Sequence, residues 1–512
     1  MPRDSFLPFT IPPGAWRNGS RYQANARWYE VNQMRWTNGR LRPIGGWQRF
    51  SEAAIAQVPR ALHGWRANNQ MRWLSIGTAG QLLIHDNTEL RDITPVAFAV
   101  GRANSVFGLG WGAGKYGENA YGTERPADAS AIVLEAATWS FDNFGENLIG
   151  SCTGDGRIYQ WKPSQWSSVG GAEKATAIVN APVGISYVFV SEERHVVALG
   201  KDGNPRKVTW SSRENLNEWT SNSLTTAGDL DVTTPGKLVS AARWRGETLL
   251  FTDCDVHLMR YVGTPLIYGI QQVGENNGIV GPKACVGIGD RVVWMATNGF
   301  WAYDGVCRQI RCDIEEYVFR DINMLQGAKI VAGHNGEFGE VWFHYPSKNS
   351  IENDRYVIWS YREGWWSYGT LDSGRTAWID KGVWPHVVAA SVTGHLYQHE
   401  DGWTASGVSR VGQVYAETGS IEIGRGERFT EVRQLIPDDC EDAACVAVWF
   451  KLRENPRSAV YSTAGPYTFT QANGFCDARF TARQIEMRVE ATRDADFHIG
   501  TLRADVVPGS GR

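Results

Sequence analysis

The chain has 512 residues, 42% hydrophobic and 21% charged, with a formal net charge of −4. That length exceeds one ordinary core, and the composition is that of a globular protein rather than a disordered or fibrous one. The mildly acidic balance lacks the basic signature of a sequence-reading DNA-binding domain, and no apolar run is long enough to cross a bilayer as a helix.

The chain carries 23 Trp, 18 Tyr, 19 Phe and 56 Gly. Aromatic residues favour pleated, half-buried surfaces and glycine serves turns, so the expectation is a mostly β protein with many turns. Met1-Pro2-Arg3-Asp4 leads into no apolar stretch of the kind that starts a signal peptide. Residues 1–60 read as an extended arm, because Pro12-Pro13-Gly14 cannot continue a helix. Within it, residues 27–36 read as a strand, and Asn38-Gly39 is a strong hairpin turn.

From about 61 to 403 one phrase recurs. An apolar strand meets a Gly or Asp turn and returns as a second strand that ends near an aromatic or acidic residue. Residues 73–78 return as 81–86, 148–153 as 157–161, 291–296 as 300–304, and 387–392 as 395–399. Ends of successive return strands at Asp86, Trp161, Trp210, Tyr261, Asp304, Trp359 and His399 lie roughly 50 residues apart, a spacing near that of propeller blades. The fold expected is all-β: a β-propeller of about seven blades, with the N-terminal arm and a C-terminal β-sandwich-like domain over 404–512. A Gly- and aromatic-rich insertion at about 101–135 interrupts the repeat, and residues 313–319 are the best candidate for a short helix.

The motifs that might carry chemistry read better as structure. Gly112-x-Gly114-x-x-Gly117 has the spacing of a dinucleotide loop, but more Gly and Tyr follow where a helix would have to start. His395 and His399 would share a metal on a helix; on a strand they stand about 13 Å apart. Asp253 and Asp255 alternate on one strand face, with Asp304, Asp313 and Glu340 elsewhere, and read as turn and strand-end acids rather than as a glycosidase pair. The eight cysteines show no zinc spacing and read as mostly buried thiols made in a reducing compartment. No catalytic, cofactor-binding or metal-ligating residue is assigned. Trp210, Trp294, Trp301, Trp342 and Trp359 fall within strands and read as core, whereas Trp365-Trp366 follows a glycine turn and reads as a surface candidate.

Several dispersed phrases resemble one family. Pro12-Pro13-Gly14 with Arg17-Asn18-Gly19-Ser20, then Arg27-Trp28-Tyr29, Arg35-Trp36 and residues 42–47, are similar to the N-terminal region of bacteriophage virion proteins. Tyr121-Gly122-Thr123, Trp210-Ser211-Ser212 with Trp219, residues 298–305 and 340–346, Arg483-Gln484 and residues 498–505 continue the likeness. Together they resemble the tail-hub or nozzle proteins of short-tailed phages, also called DNA-stabilisation proteins. The resemblance implies a structural, non-enzymatic virion subunit, assembled in the bacterial host cytoplasm into a homohexameric ring of the tail. Such a ring continues the DNA channel below the portal and adaptor proteins, retains packaged DNA until ejection, and carries tail fibres or a tail needle. Genomic DNA passes through its lumen without sequence-specific contact. The Gly/aromatic composition of the insertion and of the arm makes Trp111, Lys115, Tyr116, Tyr121, Trp16 and Arg17 the candidate intersubunit or adaptor contacts. The alternative reading is a carbohydrate-binding or carbohydrate-active propeller.

Overall fold

The structure is a computed structural model that describes residues 5–107, 133–167, 171–423, 429–437, 440–441, 445–455, 458–469 and 474–508. Among the described residues strand makes up 50% and helix about 4%. Seven four-stranded antiparallel sheets follow one another along the sequence. Their first strands are Pro59–Arg66, Trp139–Phe144, Tyr187–Val190, Leu238–Trp244, Cys285–Gly287, Val331–Asn335 and Ala377–Ile379. Each of these touches the first strand of the next sheet, and Ala377–Ile379 touches Pro59–Arg66. The seventh sheet takes its outermost strand from far upstream: Trp47–Arg49 pairs with Leu396–His399, with Trp47 opposite His399.

The recurring hairpins of the sequence are the second and third strands of these sheets. Arg72–Thr78 with Leu82–His85, Asn147–Cys152 with Ile158–Trp161, Val292–Ala296 with Gly299–Tyr303, and Val387–Ala390 with Leu396–His399 are all paired as expected. They read as continuous apolar runs because they are covered on both faces: all five residues of Val292–Ala296 are buried.

Tryptophan indoles fasten neighbouring sheets. Trp139 of the second sheet donates to the Thr78 carbonyl of the first (2.7 Å), Trp65 of the first to the Glu146 carbonyl of the second (3.0 Å), and Trp378 of the seventh to the His334 carbonyl of the sixth (2.9 Å). A buried indole N–H needs such a partner, so each ring fixes both its depth and its neighbour. Two glycines make room for them: a Cβ on Gly77 or on Gly333 would stand 2.3 Å from the Cδ1 of Trp139 or Trp378. Trp210, Trp294, Trp342 and Trp359 are buried as expected, Trp301 is only half-buried because its indole reaches the Asn298 side chain at the turn, and Trp365 and Trp366 are buried as well. The surface reading of the Trp365-Trp366 pair is therefore corrected. Trp365 packs edge-on to Trp36 at 5.5 Å, and the Trp366 indole donates to the Arg311 carbonyl. The turn before them folds the pair inward against the N-terminal segment, a long-range contact invisible in the local sequence.

The segment anticipated as an extended arm is tied, over its described residues, into the C-terminal part of the chain. Ser5–Phe9 pairs with Leu502–Pro508 and Trp28–Asn32 with Tyr415–Thr418, while the hairpin Met34–Thr37/Arg40–Pro43 reaches Ile499 through Leu41. The hairpin turns at Asn38 and Gly39, both at positive φ (52° and 76°), as an Asn-Gly turn requires. The remaining C-terminal strands, among them Thr430–Pro437, Val446–Arg453, Cys476–Ala482 and Gln484–Ala491, surround a core in which Phe450 packs on Phe9 and Phe480. The short helix is Glu315–Asp321, two residues beyond the expected start.

Candidate functional site: a cavity at the leading ends of the first strands

A cavity of about 810 Å³ opens where the first strands of the third and fourth sheets begin. Its wall combines Gly154-Asp155-Gly156, the turn between the second and third strands of the second sheet, with Gly184-Ile185-Ser186, Lys237-Leu238-Val239 and Pro282. The opposite wall is Val100, Gly101 and Arg102 with Val133, Leu134 and Glu135. These come from the two sides of the insertion, whose stem is the two-residue ladder Val106–Phe107 against Val133–Leu134.

Two ion pairs hold the rim. Lys237 pairs with Glu135, both on the lining, and Asp155 accepts from Arg157 (2.6 Å), the Tyr159 hydroxyl (2.6 Å) and the Ala99 amide (2.9 Å). Burial opposes ionisation of Asp155, but these hydrogen bonds win and hold its carboxyl below the usual range. Arg102 is exposed on the lining and has no carboxylate at ion-pair distance among the described residues.

The wall residues Ser186, Val239 and Pro282 directly precede Tyr187, Ser240 and Lys283, and these three form a polar cluster with Cys285. The Ser240 hydroxyl donates to the Pro282 carbonyl at 2.7 Å and lies 3.6 Å from the Cys285 sulfur. The Lys283 ammonium sits 5.5 Å from the centroid of the Tyr187 ring. Burial pulls the Lys283 amine down to about 8, against the attraction of Cys285 and Asp142. Burial also pushes up the Tyr187 phenol and the Cys285 thiol, so both stay neutral at pH 7. Asp142, on the second sheet, is held elsewhere: it pairs with Arg243 and accepts from the Val190 amide at 2.7 Å. His63 of the first sheet bonds Asn143 at 2.6 Å, and burial keeps its imidazole neutral.

A second charged cluster ties the insertion stem to the sixth sheet. Glu352 receives both terminal nitrogens of Arg60 (2.6 Å each) and the Lys329 ammonium (2.8 Å). Lys329 also donates to the Asn104 side chain, and Gln326 bonds the Ser105 backbone at both its amide (3.0 Å) and its carbonyl (2.8 Å). Burial and the neighbouring Arg60 charge pull Lys329 down to about 8, while Glu352 opposes them.

The contact residues expected from the sequence fall in two places. Trp111, Lys115, Tyr116 and Tyr121 lie outside the described residues. Trp16 and Arg17 sit beside the helix Glu315–Asp321. The Arg17 backbone amide donates to the Asp313 carbonyl, and its guanidinium donates to the Tyr368 hydroxyl at 2.6 Å and lies 4.1 Å over the Tyr317 ring. Adjacent clefts of about 480 and 760 Å³ take Arg17 and Trp16 respectively into their walls. Tyr187, Ser240, Lys283, Arg60 and Lys329 were not singled out by sequence. They lie on or just before first strands, whereas the visible repeat belongs to the second and third.

Among the described residues no group of three or more His, Cys, Asp or Glu is placed to hold a metal ion, and no helix is long and apolar enough to cross a membrane. Asp253 accepts from the Lys237 amide and so acts at a turn. His399 accepts from Arg375 Nε at 2.7 Å within a cage of Trp47 and Trp378.

No family model and no curated protein matches the chain. Among solved structures it is similar to Raptor from Chaetomium thermophilum, at 8% identity and a TM-score of 0.40 over 70% of this chain and 29% of that one. It is also similar to a catalytically inactive virginiamycin B lyase from Staphylococcus aureus with quinupristin, at 7% identity and a TM-score of 0.40 over 69% and 98% of the two chains. The chain thus spans under a third of Raptor, and likenesses this distant carry no functional argument.

Proposed function

We propose that the seven sheets are the blades of a β-propeller, closed by Trp47–Arg49, and that the N-terminal strands and residues 404–508 form a β-sandwich-like companion domain. On this reading the chain is a structural virion protein, one subunit of a hexameric tail-hub or nozzle ring of a short-tailed phage. The ring continues the DNA channel below the portal and adaptor, retains the genome until ejection and carries fibres or a needle. Six equal copies would close through heterologous contacts.

The observation that supports this reading is how firmly the described N-terminal and C-terminal segments are joined to each other and to the body between them. Arg35 of the N-terminal hairpin, almost fully buried, lies 3.1 Å from Glu340 of the sixth sheet and also pairs with Glu400 just past the seventh. Arg21 bridges Glu30, Glu417 and Glu486, and Lys451 joins Glu417 at 2.7 Å. A part that must withstand internal pressure gains from having its segments tied together in this way. The carbohydrate reading is less well supported, since the cavity wall carries no aromatic ring, among the described residues, on which a sugar face could stack.

The test is co-assembly with the portal–adaptor complex of a short-tailed phage that encodes this chain. Incorporation, with loss of DNA retention in particles lacking the protein, is the expected result. Particles that keep their genome and their tail mass without it would contradict the proposal.

A further inference from the structure

We propose that the cleft beside the helix Glu315–Asp321 binds a carboxylate-bearing ligand on the Arg17 guanidinium. This does not depend on the hub reading.

Arg17 is itself part of the wall of this cleft of about 480 Å³, together with Tyr29, Glu316, Tyr317, Arg320 and Asp321. Its guanidinium carbon stands 4.1 Å from the centroid of the Tyr317 ring and 5.1 Å from that of Tyr29, two rings of the same wall, and 5.5 Å from that of Tyr368. The charged group therefore lies at the cleft, beside two of the rings that form it. Among the described residues the guanidinium donates to one acceptor, the Tyr368 hydroxyl at 2.6 Å, and has no carboxylate at ion-pair distance. Ring faces attract a guanidinium but do not accept the N–H donors of its planar fork.

The neighbouring arginines each have a carboxylate. Arg320 pairs with Glu316 at 2.7 Å, Arg355 with Asp321 at 3.5 Å and Arg27 with Asp313 at 3.4 Å. Arg21, which also lies over Tyr29, pairs with Glu30 and Glu417. Both acids on the cleft wall, Glu316 and Asp321, are thus engaged, and Arg17 is the one charge on that wall, among the described residues, without an opposite. A half-buried cation in this state gains from an incoming anion. A planar carboxylate accepts the guanidinium fork bidentately and cancels its single charge. A phosphate dianion fits less well, because it would bring a second negative charge beside Glu316 and Asp321. The cleft volume lies within the usual range for small-molecule sites.

The experiment is calorimetric titration of the whole purified chain with succinate, with a capped tetraglutamate peptide and with inorganic phosphate. The expected result is saturable binding of one or both carboxylate probes, with phosphate severalfold weaker. That binding should be lost in Arg17→Gln and become severalfold tighter in Glu316→Gln, which releases Arg320 as a second cation on the wall. Binding of succinate would show that a free carboxylate suffices, and binding of the peptide alone would assign the site to an acidic segment of a protein partner. No binding of either carboxylate probe, phosphate binding as tight as theirs, or binding that survives Arg17→Gln overturns the proposal. If Arg17→Gln does not fold, as read by circular dichroism, Glu316→Gln decides: an affinity no tighter than that of the unaltered chain overturns the site.

Discussion

Buried charge is handled in opposite ways in two regions of this protein. At the joint between the N-terminal hairpin and the sixth and seventh sheets, Arg35 is matched by Glu340 and Glu400, and the Gly45 amide and the Asn335 side-chain nitrogen also donate to the Glu400 carboxylate. Next to the cavity wall, Lys283 stands 5.5 Å from the centroid of the Tyr187 ring and is attracted by Asp142, which pairs directly with Arg243 instead. The first arrangement locks segments about 300 residues apart in sequence into one geometry. The second holds a lysine with no carboxylate at ion-pair distance among the described residues. The two regions thus treat side chains of similar type differently, one by direct ion pairing and one by a ring face and a more distant carboxylate.

The largest effect is expected at the matched joint. Arg35→Ala would strand two carboxylates, and breaking a buried pair by removing one partner costs about 3–5 kcal/mol. Denaturant titration should show that loss. A change within the scatter of surface substitutions would mean the joint carries no structural weight. Glu352→Gln makes the second cluster resemble the cavity: Arg60 and Lys329 lose their shared counter-charge, with an expected cost of about 1–3 kcal/mol and a further fall of the Lys329 amine below about 8. Titration of Lys329 by nuclear magnetic resonance after methyl labelling checks the direction.

A pH series sharpens the contrast next. Burial opposes ionisation of Glu417, but hydrogen bonds and charge from Lys451 and Arg21 hold its carboxyl below the usual range. Its folded value is therefore depressed. The stabilisation is fully present above the ordinary glutamate value of about 4.3 and is lost as pH falls through the lower folded value. Hydrogen exchange of Tyr415–Thr418 should accelerate in acid below about pH 4, ahead of the strands Val292–Ala296, which contain no titratable group. The smallest effect belongs to the exposed pair Glu316–Arg320 on the helix. Glu316→Ala should change stability by no more than about 0.5 kcal/mol, and a larger loss would show that this helix end does more than face solvent.

Much of the fold was legible because the middle strands of each sheet announce themselves. Val292-Val293-Trp294-Met295-Ala296 must be covered on both faces, and the Gly or Asp turns fix where such runs reverse. Seven return strands in the sequence correspond to seven sheets. What was not legible is long-range. Nothing local says that Trp47 pairs with His399, that Ser5–Phe9 joins Leu502–Pro508, or that Trp365 turns inward onto Trp36. The same holds for the site. Tyr187, Ser240 and Lys283 lie about 50 residues apart or nearly so, and only the side-by-side arrangement of first strands brings them together, whereas the glycine and histidine spacings that drew attention belong to turns and packing.

The most direct test of the whole account is electron imaging of the purified chain, alone and bound to the tail complex, with its mass measured by light scattering. The account predicts protomers that each show a seven-spoked disc, arranged in sixfold rings either alone or on the complex. A persistent monomer that ignores the complex, or a protomer without the disc, would contradict it.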